Sequence, residues 1–64
     1  MLRECRKKLN LTQAEVAKMA NISLITYKRY EYGNRKPDID TAFKIASILQ
    51  TTVDQLWGGS LTTG

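Results

Sequence analysis

An all-α fold, a small bundle of five short helices, follows from the way this sequence punctuates itself. Helix-start signals recur along it: Thr12, Ser23, Asp38 and Thr52 each stand just before a run with helical apolar spacing. The breaks between runs are short, so the helices must pack closely on one another. The chain has 64 residues and a single cysteine. One small domain is therefore expected, held by helix packing or dimerisation with no disulfide.

Leu2, Cys5 and Leu9 share one face of a first helix, with Arg3, Arg6, Lys7 and Lys8 around it, and Asn10 ends it. Cys5 reads as a small, partly buried residue. Thr12 and Glu15 have the spacing of a capping box, and Leu11 with Val16 that of a hydrophobic staple. They start a second helix over about Gln13 to Ala20. Ser23 caps a third, about Leu24 to Tyr32, and Ile22 with Tyr27 repeats the staple. Asn21, between the two, is one of the few non-glycine residues that enter the left-handed region cheaply. Ala17 has no bulk where one helix backbone must approach another, and Gly33 stops the third helix. Val16, Ala20, Ile22, Tyr27 and Tyr30 are the inward positions of this pair.

Pro37 biases Lys36 away from helix, so residues 33–37 form a loop. Asp38 then caps a fourth helix whose Ile39, Ala42, Phe43, Ile45, Ala46 and Leu49 are expected on one buried face. Thr52 and Gln55 form a second capping box for a short fifth helix through Val53, Leu56 and Trp57. The domain is expected over residues 1–57, with residues 58–64 as a flexible C-terminal tail or partial linker.

Several classes of function are disfavoured. With no histidine and one cysteine, no structural zinc site is expected, and no cofactor. No apolar run approaches the roughly 18 residues of a membrane span. The basic start MLRECRKK precedes an amphipathic pattern where a leader would have an apolar block, so the expected location is the cytoplasm, with no membrane partner. Glu15 with Glu31, or Asp38 with Asp40, could be imagined as paired catalytic carboxylates. Capping accounts for Glu15 and Asp38, no nucleophile or base partner accompanies them, and no glycine-rich phosphate loop is present. The expectation is not an enzyme. Tyr27 and Tyr30, three residues apart on the inner face, read as core and not as a base-stacking pair.

Charge points to a partner. Residues 1–36 hold nine Lys and Arg against three Glu, a net +6, whereas residues 37–64 hold one Lys against three Asp, a net −2. The basic half contains the tightly joined helix pair, and that asymmetry favours a polyanion. Two short helices joined this tightly cross at a large angle, which props the second outward. A propped basic helix suits the DNA major groove.

The segments LRECRKKLNLTQAEVAKMANIS and YEYGNRKPDIDTAFKIASILQTTVDQLW resemble the small DNA-binding domain of the phage-repressor and Cro superfamily, the XRE family, over about residues 2–57. The resemblance implies a compact five-helix bundle of the lambda-repressor-like type, with the helix-turn-helix formed by helices two and three. It also implies that helix three is the recognition helix and that operator DNA is bound as a dimer. Asn21 and Gln50 stand where the family often has glycine, and Tyr32 where a small polar residue is usual. Leu24 and Ile25 occupy positions that often carry polar base-reading groups.

On this reading Ser23, Leu24, Ile25, Lys28 and Arg29 face the groove. The Arg29 fork matches O6 and N7 of guanine, the other readings being a phosphate contact or a free surface arginine. Leu24 and Ile25 can pack on thymine methyl groups, or turn inward, or meet a protein. Gln13, beside its cap Thr12, sits at the positive end of the second helix, a phosphate seat. Asn34, Arg35 and Lys36 offer a second phosphate contact. Arg6 and Glu31 match positions that in the family often pair, which would orient Arg6 toward the DNA backbone; otherwise they are independent charges. Val53, Leu56 and Trp57 are not expected all to be buried in so small a domain, which makes them the expected dimer interface. The function expected is a sequence-specific double-stranded DNA-binding transcriptional regulator, foremost a repressor, acting as a homodimer. The alternative is an antitoxin-like or accessory protein-interaction module on the same fold.

Overall fold

The structure, a computed structural model, describes residues 2–58. Five helices follow in order: α1 (Leu2–Lys8), α2 (Gln13–Met19), α3 (Leu24–Tyr32), α4 (Ile39–Ile48) and α5 (Val53–Trp57). Apart from Gly58, the expected tail lies outside the described residues. Among the described residues there is no strand, and no helix is long and apolar enough to cross a membrane.

Each start is capped as its side chain dictates. The Thr12 hydroxyl accepts the Glu15 N–H at 3.0 Å while the Thr12 N–H donates to the Glu15 carboxylate at 2.7 Å, a full capping box. Asp38 accepts the Thr41 N–H at 3.0 Å, and the Thr41 side chain first, then this backbone bond, hold its pKa below the ordinary carboxylate value. At α5 only half of the expected box forms. Thr52 accepts the Gln55 N–H at 3.1 Å, but the Gln55 side chain turns to the Thr51 hydroxyl.

The helix ends share one device. After α1, α2 and α4 the chain passes through a left-handed residue, Asn10, Asn21 and Gln50, with φ of 57°, 59° and 57°. After α3 Gly33 does the same at φ 79°. In each case the next amide reaches back to a carbonyl five residues earlier: Leu11 to Arg6, Ile22 to Ala17, Asn34 to Arg29 and Thr51 to Ala46. This closure satisfies carbonyls that a helix end leaves unpaired. It also turns the chain sharply enough that α2 packs on both α3 and α4, and α5 on α4.

The core gathers Leu2, Val16, Ala17, Ala20, Tyr27, Tyr30, Ala42, Ile45, Ala46, Leu49, Val53 and Leu56. Cys5, Leu9, Leu11, Ile22, Ile48 and Trp57 pack partly against it. Two expectations are corrected here. Ile39 and Phe43 were assigned to the buried face of α4, yet both are exposed, Phe43 by 59 %. Ala42, Ile45, Ala46 and Leu49 already fill the arc that faces the core, so the other two are left outside with Met19 of α2. Val53, Leu56 and Trp57 were not expected all to be buried, and only Trp57 stays partly exposed, so Val53 and Leu56 leave the expected dimer interface. Val53 and Leu56 are 5 % and 7 % exposed, because α5 folds back on α4 and turns them into the chain's own core.

Candidate nucleic-acid interface

The elbow between α2 and α3 positions the site. Ser23 starts α3 by accepting the Thr26 N–H at 3.1 Å, and Tyr27 and Tyr30 anchor its inner side in the core. The outer side is left to Leu24, Ile25, Arg29 and Tyr32, all exposed, with Lys28 partly so. Of the residues expected to read bases, Ser23, Leu24, Ile25 and Arg29 are exposed and Lys28 is half-buried, all on this one helix or at its cap. An open recess at the elbow is lined by Ala14, Ala17, Lys18, Asn21, Ile22, Ser23 and Leu24.

Behind α3 a polar brace ties three helices together. Glu31 receives Arg6 Nε at 2.8 Å and Arg6 Nη2 at 3.2 Å, and Gln13 Nε2 at 2.9 Å. Arg6 Nη1 donates to the Leu11 carbonyl at 2.9 Å. Both side chains are nearly closed to solvent, 11 % exposed for Arg6 and 2 % for Glu31. Burial pushes the Glu31 pKa up, but the hydrogen bonds from Arg6 and Gln13 outweigh it and hold the carboxyl below its usual 4.5. Glu31 in turn raises the Arg6 pKa. The Tyr27 hydroxyl is buried beside the pair, outside hydrogen-bonding geometry. Burial and then the Glu31 carboxylate push it well above the usual phenol value.

The expected pairing of Arg6 with Glu31 is therefore present, but the expected phosphate contact of Arg6 is corrected. Its guanidinium faces inward and Nε, Nη1 and Nη2 all donate within the chain, so it braces α1 against α3. The Gln13 side chain likewise serves Glu31. Thr12, Asn34, Arg35 and Lys36 lie exposed at the surface, with the loop anchored by the buried Pro37.

Sequence reasoning gave two residues no place in the site. Thr26 takes part in the Ser23 cap, and the three-residue spacing of a cap to its partner would have found it. Tyr32 is exposed beside Arg3, Arg6, Gln13 and Glu31. Its spacing of three and four from Arg29 and Lys28 places it on their side of the helix. Among the described residues no group of His, Cys, Asp and Glu could hold a metal ion.

A short α2, a tight left-handed break and an outward α3 on a helical body define a helix-turn-helix protein of the lambda-repressor-like kind. Residues 2–56 match the family described as helix-turn-helix, and the chain belongs to it. It is similar to the cryptic phage CTXphi transcriptional repressor RstR of Vibrio cholerae, 43 % identical over 83 % of this chain and 47 % of that protein. Two Bacillus subtilis proteins are also similar. The uncharacterized HTH-type transcriptional regulator YqaE is 40 % identical over 91 % of this chain and 50 % of its own length. The HTH-type transcriptional regulator ImmR is 37 % identical over 89 % and 45 %. The chain thus spans about half the length of the curated relatives it matches. No solved structure matches it significantly.

Proposed function

We propose that this chain is the DNA-binding module of a transcriptional regulator, foremost a repressor, that lays α3 in the major groove of an operator duplex. The module is residues 1–57. Arg29, Lys28 and the first turn of α3 meet base edges, while Thr12, the start of α2, Asn34, Arg35 and Lys36 meet phosphates. One observation carries this reading: Glu31, the carboxylate of α3, is folded inward against Arg6, which leaves Lys28 and Arg29 to set the charge of the outer face. The relatives, named as transcriptional repressor and regulators, support it.

One such module reads few base pairs, so two copies on half-sites roughly 34 Å apart are part of the proposal. With Val53 and Leu56 inside the core, Trp57, half-buried at the end of α5, is the expected interface residue that still reaches the surface. Exposed Leu24 and Ile25 favour one competing reading, a protein-interaction module.

Selection of duplexes from a random pool at 50 and 200 mM salt separates the two. Binding that neutralises about six phosphates weakens roughly a thousandfold or more across that range. Failure to enrich any duplex, or an affinity indifferent to salt, overturns the DNA-binding reading.

A further inference from the structure

The tip of α3 presents hydrocarbon where hydrogen-bonding groups are expected. Ser23 Oγ accepts the Thr26 N–H at 3.1 Å, and the Ser23 hydroxyl donates to Thr26 Oγ1 at 2.8 Å. Its donor is therefore engaged within the first turn. The side chains beside it, Leu24 at 38 % and Ile25 at 65 % exposed, have no hydrogen-bonding atom. Leu24 continues into the elbow recess, where Ala14, Ala17 and Ile22 extend the apolar lining.

The border of this patch is cationic. Lys18 lines the recess, Lys28 and Arg29 follow on α3, and the nearby Glu31 is closed in by Arg6 and Gln13. That border fits a polyanion. Pressed on the polar edge of a base, an aliphatic side chain strips water and returns no hydrogen bond. The feature of the major groove that an aliphatic group does favour is the C5 methyl of thymine.

We infer that the first turn of α3 is a methyl reader: Leu24 and Ile25 sit on a step of neighbouring base pairs whose pyrimidines carry C5 methyl groups, beside the base met by Arg29. The inference rests on the reading of α3 as the major-groove helix. The contact is to the methyl and not to the base's hydrogen-bonding edge. A 5-methylcytosine therefore satisfies it as thymine does, and uracil or unmodified cytosine does not. Binding at this step responds to cytosine C5 methylation.

The test uses the full chain and the best duplex from the random pool, resynthesised with single changes at each thymine. Deoxyuridine is expected to weaken binding about fourfold per methyl at the contacted step, and 5-methylcytosine to hold it within about twofold of thymine where cytosine does not. Leu24→Ala and Ile25→Ala, at exposed positions, are each expected to lose the thymine–deoxyuridine difference at the base pair that side chain meets and to keep it at the other. Salt-sensitive duplex binding that ignores deoxyuridine at every position overturns the methyl reader and leaves the DNA reading intact. Discrimination that persists in both alanine variants also overturns it. Failure to bind any duplex removes both.

Discussion

On α3, Ile25 and Tyr32 stand out into solvent; on α4, Phe43 does so nearly as much and Ile39 less, with Met19 of α2 beside Phe43. Both faces thus expose large apolar groups. Their charge differs. The α3 face interleaves its apolar groups with Lys28 and Arg29 while Glu31 is turned inward. On α4, Phe43 sits between an exposed acid, Asp40, and an exposed base, Lys44. One face is positively charged and the other is balanced. Long-range attraction to DNA follows summed charge, so a carboxylate's orientation, and not the number of exposed hydrophobic groups, separates the two.

The strongest way to break that difference is to remove the brace. Glu31→Gln leaves the Arg6 guanidinium buried without its carboxylate, a loss of up to roughly 3–5 kcal/mol. In a domain this small the midpoint of thermal unfolding should fall by about ten degrees or more, and a variant as stable as the parent would show that the pair does not hold α3. The same pair sets an acid limit. Because the folded Glu31 pKa lies below its usual 4.5, its stabilisation is complete above that value and is lost as pH falls through the depressed one. Urea midpoints between pH 7 and pH 3 should therefore drop less steeply in Glu31→Gln than in the parent.

Arg29→Ala sharpens the comparison on the α3 side. If Arg29 pairs with a guanine, discrimination at that one operator position falls by about 1–3 kcal/mol. Equal weakening across all selected sequences would make it a phosphate contact. The smallest effect belongs to α4. Phe43→Ser should change thermal stability by no more than about 0.5 kcal/mol and leave duplex affinity unchanged in a titration. A clear loss of affinity would mean that the α4 face also contributes to the complex.

Much of this was legible in the chain. Thr12 with Glu15, Ser23, Asp38 and Thr52 located four helix starts, and Asn10, Asn21 and Gly33 located three ends. Of the inward set Val16, Ala20, Ile22, Tyr27 and Tyr30, all but the half-buried Ile22 are buried, because cap and period are local signals. Phe43 was misread because helical spacing identifies an apolar stripe but not how wide an arc the neighbours cover. Val53 and Leu56 were misread because the capacity of the core depends on how α5 folds back, which no local pattern encodes. Gln55 was misread because Thr51 competed for its side chain.

The amino-acid order alone determined where four of the five helices begin and where the first three end, since those choices rest on hydrogen bonds between residues three to five apart. Only the tertiary structure decided which charges face outward. Arg6 and Gln13 meet Glu31 across 25 and 18 residues of chain, and a carboxylate that would repel phosphate becomes a brace once folding brings those donors together.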